Sequence, residues 1–142
     1  MAEFAIALSA ASLGAMLFFS VVIAPTVFQA LPEADAGKFL RAVFPRYFLI
    51  NGQAAALVAF ALLFSGEVLI ALITAAAAAL MIAVRFYAIP IINDARDRSL
   101  EGDAAAKSKF DTWHRGTVII NVIAMIVLVA VIIIMFGPQG LE

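Results

Sequence analysis

Charged residues are absent from four long stretches of the chain, covering residues 4–32, 47–66, 68–84 with an apolar continuation past Arg85 to residue 92, and 116–141. Each supplies the ~20 apolar residues that an α-helix needs to cross a hydrocarbon core about 30 Å thick. The pattern predicts an all-α integral membrane protein, with four transmembrane helices forming a bundle as a single domain over residues 1–142. The expected spans are 4–31, 47–65, 68–92 and 116–136. The first run carries Glu3 and no basic residue at its start, and it is longer than the apolar core of about 7 to 15 residues in a secretory signal. It is therefore expected to be a retained helix.

The polar segments between the runs have patterns of their own. In PEADAGKFLRAVFPR, residues 32–46, Phe39, Leu40, Val43 and Phe44 share one helical face while Lys38 and Arg41 lie elsewhere. That arrangement predicts a short interfacial helix after the first span, ended by Pro45; a soluble amphipathic turn is the alternative. In NDARDRSLEGDAAAKSKFDTWHR, residues 93–115, helix formers flank Gly102. Span three is expected to continue to about Arg98, with a second arm, N-capped by Asp103, feeding into span four. Small residues recur at helical spacing at Ala7, Ala11 and Ala15, at Gly52, Ala56 and Ala59, and at Ala71, Ala75 and Ala79. This spacing lets helix backbones approach closely in lipid.

Composition agrees with the pattern. Of the 142 residues, 65% are hydrophobic and 13% charged, against roughly 45 to 50% and about 25% in soluble domains. The absence of cysteine excludes disulfides, thiolate metal sites and thiol nucleophiles. With four spans, residues 33–46 and 93–115 share one side of the membrane. Lys38, Arg41, Arg46, Arg96, Arg98, Lys107, Lys109 and Arg115 all fall there, whereas the other side carries only Glu3, Glu67 and Glu142. The positive-inside rule then predicts a multi-pass protein of the cell membrane, an inner membrane in a bacterium, with both termini on the non-cytoplasmic side. Basic residues beneath an anionic leaflet do not imply nucleic-acid binding.

Candidate chemistry gathers near that basic side. Arg85 lies about 25 Å along its helix from Val68, at headgroup level, where an arginine either snorkels to water or enters a polar cluster. Pro25 and Pro90 fall at similar depth, and each frees the carbonyl four residues earlier, at Val21 and Phe86. Asn51 and Asn121 are at comparable level, so Arg85, Asn51, Asn121 and Tyr87 are candidates for one binding site. In span four, Asp111, His114, Thr117, Asn121 and Met125 are separated by three, three, four and four residues and share a face expected to point inward. Asp111 either orients His114, pairs with Arg85, or sits with His114 in a solvated arm. The single histidine is a candidate haem ligand only if a symmetric dimer supplies a second one. Met16, Met81 and Met125 lie near mid-span, as core filler or as soft ligands for Cu(I). No phosphate loop, metal-ligand spacing or nucleophile elbow is present, so enzymatic activity is not favoured.

The segments APTVFQALPEADAGKFLRAVFPRYF (24–48), RFYAIPIIND (85–94) and KFDTWHRGTVIIN (109–121) together resemble the transmembrane protein 205 family, which includes bacterial proteins described only as a domain of unknown function. The resemblance carries over to Phe28, Leu31, Pro32, Phe44, Pro45, Tyr47, Phe48, Pro90, His114 and Asn121. It implies a four-span membrane fold and no activity. The expected function is transport or metal-ion handling in a homo-oligomer, at a polar site near the cytoplasmic face. A haem- or cofactor-binding membrane protein and a structural or assembly partner are the alternatives. The sequence designates no cofactor.

Overall fold

The computed structural model describes residues 1–137, so Glu142 of the acidic side lies outside the described residues. Four helices long and apolar enough to cross a membrane make up nearly all of it: α1 (Ala2–Ala30), α2 (Glu33–Phe64), α3 (Val68–Leu100) and α4 (Ala104–Phe136). Such a chain is a multi-pass membrane protein whose solvent is the lipid bilayer. Glycines with left-handed backbone, Gly66 and Gly102 (φ 81° and 96°), turn the chain between α2 and α3 and between α3 and α4. That conformation costs a residue with a Cβ about 1 kcal/mol or more.

The helices pack in a ring in which each touches its neighbours in sequence and α4 closes onto α1. Two core clusters fill the bundle. At the acidic end, Ala5, Val58, Leu62, Ile70, Val131 and Met135 come together. Towards the basic end, Met16, Phe48, Met81, Val84, Ile89 and Leu128 do so. Lipid tails are as apolar as these side chains, so close packing rather than escape from water holds the bundle. The tightest approach is at Gly52 of α2, where an added Cβ would stand 2.8 Å from Ile82 Cγ1 and 3.3 Å from the Ile82 backbone nitrogen of α3.

The small-residue pattern predicts this contact but misassigns others. Ala7, Ala11 and Ala15 face outward, and α1 instead buries Ala5, Ser9, Ser12 and Met16. Ala56, Ala75 and Ala79 are exposed too. Alanine is so frequent on these helices that its spacing recurs on several faces and selects none.

At the basic end the helices run well past the apolar spans. α3 and α4, 33 residues each, are about 50 Å long. As expected, α3 continues beyond Arg98 and Asp103 caps α4, its carboxylate accepting from the Ala106 N–H at 3.0 Å. The expected separate interfacial helix is not formed. Residues 33–46 are the first turns of α2, which runs without a break through Pro45. Proline removes only one N–H from such a helix, here the donor to the Arg41 carbonyl, and the rest of the hydrogen-bond ladder carries the helix on. Pro45 is thus a residue within a helix and not its end.

Pro25 and Pro90 act differently. Each is preceded by one π-helical turn, Phe19–Ile23 in α1 and Val84–Ala88 in α3. The Ala24 N–H reaches back to the Phe19 carbonyl, and the Ile89 N–H to that of Val84. The carbonyls of Ser20 and Arg85 therefore lose their α-helical donors, and the next nitrogen in line belongs to proline, which has no hydrogen. Backbone loosening expected at Val21 and Phe86 thus begins one residue earlier. Widening the turn is the physical remedy for the clash between a proline ring and the carbonyl ahead of it.

Candidate functional site

The π turn in α1 changes that helix's neighbours. Ala2–Phe18 packs against both α2 and α4, whereas Ala24–Ala30 packs mainly on α2, through Val27 against Ala36 and Leu40. Once α1 leans away from α4, space opens inside the basic end of the bundle. A cavity of about 680 Å³ occupies it, bordered by all four helices. That size lies within the range of about 300 to 1,000 Å³ typical of small-molecule sites.

Its inner wall is aromatic. Phe19, Phe44, Tyr47 and Phe48 face it and form one cluster of tilted and edge-to-face rings, with centroids 4.7 Å apart for Phe19 and Tyr47 and 5.7 Å apart for Phe19 and Phe44. At the inner end the Tyr47 hydroxyl donates to Asn121 Oδ1 at 2.8 Å, with the Ser20 hydroxyl beside it. This bond joins α2 to α4 across the bundle, and it accounts for Asn121 at membrane depth, where an unpaired amide is costly. Thr117, one turn closer to the mouth, is buried and donates to the His114 carbonyl at 2.8 Å.

The outer wall is charged. Arg41, Arg96, Lys107 and Glu33 line it together with His114. Arg41 is committed to α3, donating to Asp97 at 2.5 and 3.2 Å and to the Asn93 carbonyl at 3.5 Å. Lys107 is paired with Asp111 at 3.3 Å. Arg96 has no hydrogen-bond or ion-pair partner among the described residues. Its guanidinium lies against the bare backbone of Gly37, where a Cβ would stand 2.7 Å from Nη2. At the loop, Arg98 pairs with Asp103 at 2.6 Å. The Ala106 N–H, followed by Arg98, holds the Asp103 carboxyl below its ordinary range.

The expected polar cluster is realised only in part. His114, Thr117 and Asn121 line the cavity, as their common face predicts. Asp111 does not orient His114 or meet Arg85; it is exposed and bound to Lys107. His114 is stacked on Phe110, with ring centroids 5.6 Å apart and planes 4° from parallel. Arg85 lies outside the cavity, its guanidinium carbon 5.2 Å over the ring of its own neighbour Phe86. Tyr87 is 72% exposed and faces away from the bundle, at a level where tyrosine suits the interface. Asn51 is buried but returns its amide to the Tyr47 carbonyl of its own helix at 2.8 Å.

The physical reason is rotational: residues at one depth on different helices meet only if each helix turns the right face inward, and depth alone does not fix that. Of the two π turns, only that of α1 borders the cavity, through Phe19 and Ser20. Met16 and Met81 are fully buried in one apolar cluster, and Met125 packs against it, among Phe48, Val84 and Leu128. No group of three His, Cys, Asp or Glu side chains able to hold a metal ion occurs among the described residues. The site residues missed from the sequence include Phe19, Gly37, Arg41 and Arg96. The available signal was Gly37, a glycine inside a stretch otherwise suited to helix.

Comparison with known proteins gives no match among curated proteins or solved structures. A family model does match, over residues 7–101, described as Domain of unknown function (DUF4149). That stretch holds the π turn of α1, all of α2 and α3, and the α1 to α3 side of the cavity, and the chain belongs to this DUF4149 family.

Proposed function

We propose that this protein is a small-solute membrane protein that takes an organic molecule into the cavity at its basic end, as a step in transport. The observation that carries the reading is the cavity itself: about 680 Å³, aromatic within, with a few converging polar groups, the usual make-up of a small-molecule site. Metal handling is the weaker reading, because the methionines pack among apolar side chains and the cavity offers one imidazole. The positive-inside rule gives the cavity a cytoplasmic mouth. Of the residues that carry the likeness to the transmembrane protein 205 family, Phe28, Phe44, Tyr47, Phe48, His114 and Asn121 all line it, which supports reading it as a site.

The test is native mass spectrometry of the protein extracted into lipid nanodiscs, beside a Thr117→Phe variant that fills the cavity. The expected result is a small organic species bound to the wild type and missing from the variant, with the same helical circular dichroism for both. A wild type that carries nothing, or equal binding to the variant, would overturn the reading.

A further inference from the structure

The cavity is graded along its length. From Asn121 at the inner end to Lys107 at the mouth it follows α4 for about 21 Å at 1.5 Å per residue, passing from aromatic rings to cations. The inner part is level with the apolar spans and the outer part with the basic segments beyond them. A molecule that fills both zones needs an apolar body and a charged end.

The lining itself gives the sign of that end. Arg41 and Lys107 are each neutralised by a partner outside the lining, Asp97 and Asp111. Among the described residues, Glu33 is the one acidic side chain on the wall, in the first turn of α2, where a carboxylate suits the helix dipole. Among the described residues, Arg96 is the arginine or lysine of the lining with no hydrogen-bond or ion-pair partner. The bare backbone of Gly37 leaves room for this guanidinium at the mouth, and its planar donors match a carboxylate or phosphate.

We propose that the ligand is a single-chain anionic amphiphile, its carboxylate or phosphate end held by Arg96 and its apolar chain lying against Phe19, Phe44 and Phe48. This rests on the reading of the cavity as a solute site. Basic pockets between membrane helices recognise anionic lipid headgroups by the same chemistry, so the anion is either a free amphiphile or a lysophospholipid.

The experiment is a titration, by native mass spectrometry, of the protein in phosphatidylcholine nanodiscs with four probes that share a twelve-carbon chain: laurate, dodecyl phosphate, dodecanol and dodecyltrimethylammonium. Lysophosphatidylglycerol forms a fifth arm. The anionic probes are expected to bind at least about tenfold more tightly than the neutral and cationic ones, the size of a charge-assisted hydrogen bond. Arg96→Gln should remove that preference while keeping dodecanol binding, and Gly37→Leu, which displaces the guanidinium, should weaken it. Arg85→Gln, remote from the cavity, should leave it intact and serve as the folding control. Preference for dodecyl phosphate or laurate assigns a free amphiphile, and preference for the lysolipid assigns a lipid headgroup.

Equal affinity for all head groups, with binding still lost in Thr117→Phe, would overturn the anionic assignment and leave the solute site standing. Binding of none of the probes would overturn the amphiphile, while a different species on the extracted wild type would still uphold the site.

Discussion

Gly52 is where the packing argument is easiest to break. Its hydrogen faces α3 so closely that a Cβ would lie 2.8 Å from Ile82 Cγ1 and 3.3 Å from both the Ile82 nitrogen and Met81 Cβ. Favourable carbon contacts lie at about 3.5 to 4.0 Å, so Gly52→Ala forces about 0.7 Å of movement. The Ile82 side chain can take part of it by turning. The backbone nitrogen cannot, and α2 and α3 must separate along a buried seam. Overpacking of this kind costs about 1 to 3 kcal/mol, against about 1 kcal/mol gained because alanine is the better helix former.

The expected net result is a loss of up to about 2 kcal/mol for Gly52→Ala, combining those two terms, and a larger loss for Gly52→Leu. Gly14→Ala and Gly116→Ala are the matched controls, since a Cβ at either would meet nothing within 4 Å, and they should hold or raise stability. The assay is reversible unfolding in mixed micelles with increasing sodium dodecyl sulfate, followed by circular dichroism. If Gly52→Ala were as stable as Gly14→Ala, the close approach of α2 and α3 would be refuted.

Removing the Tyr47 to Asn121 bond by Tyr47→Phe or Asn121→Leu should cost about 0.5 to 1.5 kcal/mol, and a double-mutant cycle by the same unfolding assay should give a coupling near 0.6 kcal/mol, as for other interhelical bonds in membranes; zero coupling would mean the hydroxyl and amide do not meet. The Asp103 carboxyl is held low first by the Ala106 N–H and then by Arg98. Its folded pKa lies below the unfolded one, so its contribution is complete above the unfolded value of about 3.9 and is lost as pH falls through the folded one. The wild type should therefore lose stability in acid below about pH 4 more steeply than Asp103→Asn, and identical acid limbs would contradict the cap. Arg85→Leu should fold and melt like the wild type, because the guanidinium only overlies Phe86; a collapse of the bundle would show that it ties helices together.

The number of helices and the grouping of basic residues at one end were legible in the sequence, because lipid demands long apolar runs and leaves charges only at their edges. The Asp103 cap was legible too, since N-capping is a contact within one turn. Tertiary structure decided what lies between the helices. Pro45 reads as a helix end, yet α2 runs through it, because one missing N–H is a local loss that a long packed helix absorbs. Arg85, Asn51 and Asn121 share a depth, and only Asn121 faces the cavity, because helix rotation is fixed by packing seams such as Gly52 on Ile82. The cavity arises where one π turn redirects α1 away from α4, and it is Arg41 that pairs with Asp97, while Arg96 has no ion-pair partner among the described residues. Those outcomes depend on distances between helices, which spacing along a single chain does not encode.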